Sequence, residues 1–224
     1  VERYTSLGVE CIEGSAKLVS PHELEVNGSL LSTKNIVIAT GASPAIPPIP
    51  GLEDSAYSTS DSIWKLRELP KQLLIIGGGP IGCELAQAFR RLGSEVTILT
   101  RDQKVLPKED RDLAELVLKN FESEGIQMQT EVQVERIEKK NSEQQVYFRK
   151  DGVEQHIKAD HILLATGRKP GTSGLGLKEV GVELNPDGTV KVDPFLRSSI
   201  PNIYACGDVS GPFQFTHVAG HQAW

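Results

Sequence analysis

A glycine-rich turn restricts the fold of this chain more than any other feature of its sequence. The turn follows the pattern Gly77-x-Gly79-x-x-Gly82, and the continuous apolar run Leu73–Ile76 leads directly into it. Such a run is typical of a strand buried on both faces of a parallel sheet. After the turn, apolar residues recur at positions 85, 86, 88, 89 and 92, which is a helical period. With Glu95–Thr100 as the next predicted strand, the segment is one right-handed βαβ unit.

Each of the three glycines has a physical role in a dinucleotide site. Gly77 allows the tight turn, Gly79 lets the backbone approach a pyrophosphate, and Gly82 permits close packing of helix against strand. The helix start at Pro80 and Ile81 then presents backbone donors and a partial positive charge to the phosphates. A tight strand–helix turn without a ligand is the alternative. The strand before the motif and the helix after it favour the nucleotide site.

The end of the second strand bears on the choice of nicotinamide coenzyme. An NAD site places an Asp or Glu there to bind the ribose 2′-hydroxyl. This strand ends Leu99-Thr100-Arg101, so the acid is absent at Thr100 and Arg101 is placed to meet a 2′-phosphate. The pattern therefore favours NADP. NAD is possible if Asp102 binds the ribose and Arg101 is a solvated surface charge, and Lys104 is a candidate second cation.

Composition excludes several other classes of protein. The 224 residues suffice for one to one and a half domains. With 24 basic and 30 acidic residues the net charge is −6, and no Lys/Arg block stands out, which argues against nucleic acid as a partner. No apolar window approaches membrane-spanning length. The chain begins at Val1 rather than at a methionine, which indicates a piece of a longer protein.

Three widely spaced cysteines bear on the cellular compartment. Cys11, Cys83 and Cys206 form neither a disulfide framework nor a zinc ribbon, and this fits a reducing compartment. We therefore expect a cytoplasmic protein. Small or apolar neighbours predict that all three are buried, unreactive thiols.

The remaining elements are predicted from apolar stretches and turn formers. Four prolines within residues 42–54 predict a linker between domains. The predicted strands before it are Val9–Ile12, Lys17–Val19, Leu24–Val26 and Asn35–Ala39. After the glycine turn we expect a helix at Asp110–Glu124, strands at Ile126–Glu138, Gln144–Lys150, His161–Ala165 and Asn202–Ala205, and a polar turn at Lys139–Glu143. Gly93 and Gly125 are expected to end the two helices, and Asp151-Gly152 is a hairpin signal.

Three further motifs resemble those of the FAD-dependent pyridine nucleotide–disulfide oxidoreductases. Ala39-Thr40-Gly41, with prolines after it, resembles the first Ala-Thr-Gly segment of that family, and Ala165-Thr166-Gly167 resembles the second. Ala205-Cys206-Gly207-Asp208 resembles the family's flavin motif. The motifs occur in family order around the glycine turn, so the resemblance covers nearly the whole chain. The absence of an acid at Thr100 is most similar to NADPH-using members such as mercuric and glutathione reductases.

The resemblance implies an α/β fold with a Rossmann-like NAD(P)-binding domain inserted in a partial FAD-binding domain. The inserted domain would contain a parallel sheet, the βαβ unit and a β-meander. The expected limits are 1–56 for the first FAD-domain piece, 57–170 for the NAD(P) domain and 171–224 for the return segment. The implied cofactors are NADP and FAD, with hydride transfer from NADPH to the flavin and on to a small-molecule disulfide or a metal ion. A non-catalytic nucleotide-binding fragment is the alternative.

The resemblance also implies roles for individual residues. Glu84 matches a carboxylate near the nicotinamide, although its place early in the helix equally suits stabilisation of the helix dipole. Asp208 matches the residue that contacts the ribityl chain of FAD. The other cofactor-contacting residues implied by the motifs are Thr40, Gly41, Gly167 and Gly207.

The chain departs from the family pattern in several places. It has no second Gly-rich turn for the ADP half of FAD and no Cys-x4-Cys redox pair, and Gly171 stands where the family usually has Asn. The family's dimerisation domain would begin after Trp224, so we expect a homodimeric parent that pairs through a segment absent here. His217 and His221 have metal-ligand spacing without an evident third ligand, so we expect no metal. The resemblance places their segment against the flavin ring.

Overall fold

The structure is a computed structural model that describes residues 2–140 and 143–224. The chain divides into two compact units. Residues 44–168 form one, which we name the central unit, and residues 1–43 with 169–224 form the other, which we name the flanking unit. The domain limits expected from the sequence, 57–170 for the inserted domain, stay a prediction.

Strands and helices alternate in the middle of the chain, as the sequence pattern predicts. The helices are α1 (Glu2–Thr5), α2 (Pro80–Leu92), α3 (Arg111–Glu124) and α4 (Thr216–Gln222), with 3₁₀ turns at Ile63–Lys65 and Gly207–Val209. The strands are β1 (Ala16–Ser20), β2 (Glu23–Val26), β3 (Ser29–Ser32), β4 (Ile36–Ile38), β5 (Ala42–Pro44), β6 (Tyr57–Thr59), β7 (Gln72–Ile76), β8 (Glu95–Leu99), β9 (Gln127–Gln129), β10 (Gln133–Lys140), β11 (Glu143–Lys150), β12 (Val153–Ala159), β13 (His161–Leu164), β14 (Arg168–Pro170) and β15 (Ile203–Ala205).

A five-stranded parallel sheet is the framework of the central unit. Its strands lie in the order β6-β13-β7-β8-β9, and every neighbouring pair is parallel. Side chains alternate between the two faces of a strand. On one face Leu73 and Ile75 pack with the buried residues of α2 and α3, and on the other Leu74 and Ile76 pack with those of β10–β12. The two-sided burial of β7 explains its continuous apolar sequence.

Glycine ends both long helices of the central unit. Gly93 follows α2 with φ 113° and Gly125 follows α3 with φ 77°, and each amide donates back to the last turn of its helix. Left-handed backbone of this kind has almost no cost for glycine. Both helix ends predicted from the sequence are therefore confirmed.

The β-meander of the central unit is present, with one difference from the expected strands. β10, β11 and β12 pair antiparallel, and Asp151 and Gly152 at φ 50° and 79° form the predicted hairpin turn. The single strand expected over Ile126–Glu138 is wrong. Glu131 lies at φ 58°, and this left-handed residue separates β9 of the parallel sheet from β10 of the meander. Residues 141 and 142 of the predicted turn at Lys139–Glu143 lie outside the described residues.

The flanking unit contains smaller sheets. β1, β2 and β3 form an antiparallel sheet, and β4 and β15 form a parallel pair. The strand expected at Val9–Ile12 is wrong, because this stretch is exposed and has no regular structure. β3, which the apolar pattern missed, is paired with β2 through a turn in which Asn27 and Gly28 both have positive φ.

Among residues 2–140 and 143–224, no helix combines the length and the apolar character that a bilayer span requires.

Candidate functional site

The glycine-rich turn lies where the strand order of the central sheet reverses. β8 lies on one side of β7 and β13 on the other, although β13 is the last of the five strands along the chain. In open α/β sheets, ligands bind outside the carboxyl ends of the strands at such a reversal point. The turn leaves β7 at its carboxyl end. The topology therefore marks this edge of the sheet as a binding site, independently of the glycine pattern.

The three glycines of the motif differ in what a side chain would meet. Gly77 has φ 119°, and a Cβ there would collide with the carbonyl oxygen of Ala165. A Cβ at Gly82 would collide with the carbonyl oxygen of Gly77. At Gly79, by contrast, φ is −77° and no atom lies within 4 Å of the Cβ position. The fold thus requires glycine at 77 and 82, whereas at 79 no atom of the protein requires it and the space is open to a ligand.

The start of α2 offers backbone donors beside this open position. Gly79 is the N-cap residue without a side-chain cap, and the first bond of the helix runs from the Cys83 amide to the Gly79 carbonyl at 3.0 Å. The amides of Ile81 and Gly82 precede that bond. Pro80 occupies the first helical position, where a missing amide costs least. The helix dipole adds a partial positive charge, so the site suits an anion such as a pyrophosphate.

The second Ala-Thr-Gly segment lies next to the glycine turn. The Ala165 amide donates to the Ile76 carbonyl at 2.8 Å, continuing the pairing of β13 with β7. The Thr166 hydroxyl donates to the Ala45 carbonyl at 2.7 Å. Gly167 follows at φ 110° with nothing within 4 Å of its Cβ position. The segment therefore adds a second open glycine to the same sheet edge.

Residues 101–104, which follow the end of β8, present one exposed cation to solvent. Thr100 is buried, and its hydroxyl accepts the Asp102 amide at 3.3 Å and lies 3.4 Å from the Asp102 carboxylate, to which it donates. Arg101 is exposed, and no described residue forms a hydrogen bond or ion pair with its side chain. Lys104 is half-buried. Arg101 is therefore available to a ligand, whereas the Asp102 carboxylate already has a protein donor.

Glu84 occupies a different helical position from the one expected. α2 begins at Pro80, so Glu84 is its fifth residue and lies beyond the first turn. Because the dipole effect falls off within the first turn, the helix-stabilising explanation of this residue loses its support. Glu84 is exposed. Its role near a nicotinamide stays a prediction.

The three cysteines differ in burial. Cys83 is buried on α2, and its thiol donates to the Gly78 carbonyl at 3.6 Å. Burial, with a smaller contribution from the charge of Glu84, raises the pKa of Cys83 to about 12, so the unreactive thiol expected there is confirmed. Cys206 is half-buried. For Cys11 the expectation is wrong, because it lies in an exposed segment whose apolar residues pack against no core.

The flanking unit brings its predicted cofactor residues to one edge. β4 and β15 are parallel neighbours with Ile38 opposite Ala205, so Thr40-Gly41 and Gly207-Asp208 follow adjacent carboxyl ends. Gly41 at φ 65° has open space around its Cβ position. The Thr40 hydroxyl, however, donates to the Gly171 carbonyl at 2.7 Å. The donor function of the Thr40 hydroxyl is therefore used within the protein, which leaves its acceptor function for a ligand, and the expected flavin contact stays a prediction.

Two further observations concern this edge. The Gly207 amide donates to the Gln222 side chain at 2.7 Å, and Asp208 is half-buried in the 3₁₀ turn after β15. A Cβ at Gly171 would lie 2.7 Å from the Thr40 carbonyl oxygen, which is a physical reason for glycine where the family pattern has Asn. Of the expected flavin contacts, Gly41 therefore leaves open space for a ligand at this edge, whereas the Thr40 hydroxyl and the Gly207 amide both donate to protein groups.

The histidine pair lies on the short helix α4. The ring of His217 stacks on Phe215 at 5.3 Å between ring centroids. Within the described ranges, no group of three His, Cys, Asp or Glu residues could hold a metal ion.

Comparisons with known proteins agree with the architecture of this site. Residues 1–223 match the family described as "Pyridine nucleotide-disulphide oxidoreductase". Mercuric reductase of Bacillus cereus is 38% identical over 99% of this chain, which covers 36% of that protein. Dihydrolipoyl dehydrogenase of Acholeplasma laidlawii is 36% identical over 96% of this chain, which covers 63% of that protein.

A solved structure gives the same result. The HOCl-induced flavoprotein disulfide reductase RclA from Escherichia coli superposes with a TM-score of 0.89 at 34% sequence identity. The match covers 99% of this chain and 51% of the RclA chain, so the sequence spans about half of that structure. The chain therefore belongs to the pyridine nucleotide-disulphide oxidoreductase family.

Proposed function

We propose that this chain is the coenzyme-binding part of a flavoprotein oxidoreductase and that its coenzyme is NADPH. NADPH supplies a hydride to FAD, which passes electrons to a disulfide or a metal ion. The whole enzyme is a cytoplasmic homodimer that pairs through residues beyond this sequence. The family match and the similarity to mercuric reductases and dihydrolipoyl dehydrogenases support this assignment.

The open Cβ position of Gly79 is the observation that carries the proposal. It lies at the reversal point of the parallel sheet and beside the donor end of α2. A pyrophosphate that approaches Gly79 would accept hydrogen bonds from the Ile81 and Gly82 amides. Glycine at 79 has no internal steric reason, so close approach of a ligand accounts for it.

Arg101 supports NADPH over NADH. A guanidinium binds a phosphate through two parallel hydrogen bonds, and this one is exposed with no competing partner among the residues that the structure describes. The neutral Thr100 removes the carboxylate that would repel a 2′-phosphate from the strand end. Asp102 is the competing ribose ligand in an NAD site, but its carboxylate already accepts from Thr100.

The flavin-side residues have a more limited role in this proposal. Gly41 leaves space for close approach, and Asp208 would accept a hydrogen bond from a ribityl hydroxyl. Thr40 positions the backbone of Gly171, and its hydroxyl can still accept a hydrogen bond from the cofactor. Glu84 would lie near the nicotinamide as an exposed carboxylate on α2.

Calorimetric titration of the chain with NADPH and NADH tests the coenzyme assignment. We expect wild type to prefer NADPH by about tenfold or more, and Arg101→Ala to weaken NADPH by about 10- to 100-fold, since a charge-assisted hydrogen bond contributes roughly 1.5–3 kcal/mol. NADH affinity should not change. Lys108→Ala removes a nearby exposed charge as the matched control. Unchanged NADPH affinity in Arg101→Ala would show that the 2′-phosphate assignment is wrong.

A nucleotide-binding module without catalysis is the second candidate. The lack of a closely spaced cysteine pair in the sequence favours it. The two candidates differ in whether the whole protein that contains this sequence, supplied with FAD, oxidises NADPH in the presence of an artificial electron acceptor. Turnover would exclude the module, whereas NADPH binding without turnover would support it.

A further inference from the structure

The loop after β8 is fixed to the glycine turn at Gly78. The Leu106 amide donates to the Gly78 carbonyl at 2.7 Å, and the thiol of Cys83 donates to the same carbonyl at 3.6 Å. On the other side of Gly78, a Cβ would lie 3.1 Å from Val105 Cγ1 and 3.2 Å from the Thr100 side chain. Gly78 occupies the first x of the Gly-x-Gly-x-x-Gly pattern, where the motif does not require glycine, yet it contacts both ends of this loop.

Two adjacent residues hold the far end of the loop. Val105 is completely buried in the core between the parallel sheet and its helices, although it belongs to no regular element. Leu106 has φ 51°, a left-handed conformation that is uncommon for a residue with a branched side chain. The burial of Val105 and the bond to Gly78 together keep Leu106 in this conformation.

The near end of the loop is equally fixed. Thr100 is buried, its amide donates to the Gln129 carbonyl at 2.9 Å, and its carbonyl accepts the Val132 amide at 3.0 Å. Only residues 101–104 lie between the two anchors, and they include Arg101 and Lys104. The position of these cations relative to the glycine turn is therefore set by the anchors on either side.

We propose that Val105 and Leu106 are positioning residues that determine the preference for NADPH over NADH. This inference rests on the proposed NADPH site. The 2′-phosphate and the pyrophosphate belong to one ligand, so the groups that bind them must keep a fixed spacing. A loop that is already ordered binds the 2′-phosphate without a further loss of conformational entropy. Loosening the anchor should weaken the 2′-phosphate contact and spare the pyrophosphate contact.

Val105→Ala and Val96→Ala make a matched pair for this test. Both valines are buried in the same core, but Val96 lies within β8 and does not hold the loop. Calorimetric titration with NADPH and NADH gives an affinity ratio for each variant, and thermal unfolding gives its stability. We expect Val105→Ala to lower the NADPH-to-NADH ratio at least fivefold with NADH affinity within twofold of wild type. Val96→Ala should lose comparable stability at an unchanged ratio.

A second pair changes the backbone at Leu106, whose side chain packs against the same core but is only half-buried. Leu106→Gly keeps the amide that binds Gly78 and frees the backbone, so the ratio should again fall. Leu196→Gly makes the same change at another leucine of positive φ, 62°, in the flanking unit and should leave the ratio unchanged.

The outcomes separate this inference from the proposed function. If wild type prefers NADPH and both loop variants keep the wild-type ratio, the positioning role is wrong and the coenzyme assignment stands. Equal losses of NADPH and NADH affinity in the loop variants would likewise overturn the positioning role, since they indicate general destabilisation. If wild type shows no preference for NADPH, the coenzyme assignment fails and this inference fails with it.

Discussion

The central and flanking units each contain an Ala-Thr-Gly segment with the same local structure. In the central unit the Thr166 hydroxyl donates to the Ala45 carbonyl at 2.7 Å, and the Ala45 amide donates back to the Gly167 carbonyl at 2.9 Å. The flanking unit repeats this exchange with Thr40, Gly41 and Gly171, at 2.7 and 2.8 Å. In both, the glycine has positive φ and open space at its Cβ position.

The sheets behind these segments differ. In the central unit the segment follows β13, one of five parallel strands with an apolar core on each face. In the flanking unit it follows β4, which has only β15 as a parallel partner among the described residues. The 13-residue helix α2 follows the glycine turn, whereas a single 3₁₀ turn follows β15. The shared Ala-Thr-Gly motif therefore does not show whether a whole binding site is present. Whether the site is complete depends on the surrounding sheet and helix.

Thiol reactivity gives the largest contrast between the units. The pKa of Cys83 in the central unit is raised to about 12. At pH 8 its thiolate fraction is therefore about a thousandfold lower than that of an ordinary cysteine with a pKa near 8.5. Cys11 of the flanking unit is exposed. We expect a thiol reagent at pH 8 to label Cys11 within minutes and Cys83 only after unfolding, as peptide mapping would show. Rapid labelling of native Cys83 would contradict the closed packing around Gly78.

The next largest effect is the loss of NADPH affinity expected for Gly79→Val in the central unit. A Cβ at this position has no protein atom within 4 Å and φ is −77°, so the melting temperature should stay close to that of wild type. The valine would fill the space proposed for the pyrophosphate, and NADPH affinity should fall at least about 100-fold if two charge-assisted hydrogen bonds are lost. Gly220→Val in α4 of the flanking unit has the same open surroundings and is the matched control. Retained NADPH binding in Gly79→Val would refute the pyrophosphate role.

Flavin occupancy tests whether the flanking unit holds a complete site. The sequence contains no second Gly-x-Gly-x-x-Gly for the ADP half of FAD, so the edge at β4 and β15 offers contacts to only part of that cofactor. We expect FAD to bind at least about tenfold more weakly than NADPH, the effect of one missing charge-assisted hydrogen bond. The absorbance spectrum of the purified chain measures how much flavin it holds. A flavin band at near-stoichiometric occupancy would show that the flanking unit is sufficient.

The features predicted correctly from the sequence are those set by neighbouring residues. The turn at Gly77–Gly82, the helix ends at Gly93 and Gly125 and the hairpin at Asp151-Gly152 each need a backbone conformation that few residues adopt. A short sequence therefore identifies them. The buried strand β7 was equally evident, because burial on both faces requires an uninterrupted apolar run.

The features that the sequence did not predict depend on distant residues. β3 has only two apolar residues and exists because it pairs with β2. Glu131 interrupts a stretch that is otherwise apolar at strand spacing, and nothing in its local sequence requires φ 58°. The contact of Leu106 with Gly78 joins residues 28 positions apart. Cys11 has a small or apolar neighbour in the sequence, as the buried Cys83 has, yet it is exposed. Tertiary packing decided each of these cases.

Thr166→Val and Thr40→Val compare the two segments directly, with the smallest expected effects. Each substitution keeps the side-chain shape and removes one exposed hydrogen bond of 2.7 Å. Urea unfolding should therefore show similar losses of about 0.5–1 kcal/mol for both variants. NADPH binding should separate them, because only Thr166 lies beside the glycine turn, next to the Ala165 carbonyl that limits Gly77. We expect NADPH affinity to fall about two- to threefold in Thr166→Val and not to change in Thr40→Val. A loss of about two- to threefold corresponds to a fraction of the free energy of one hydrogen bond. An equal loss of NADPH affinity in both variants would mean that the coenzyme depends on the flanking unit as much as on the central one.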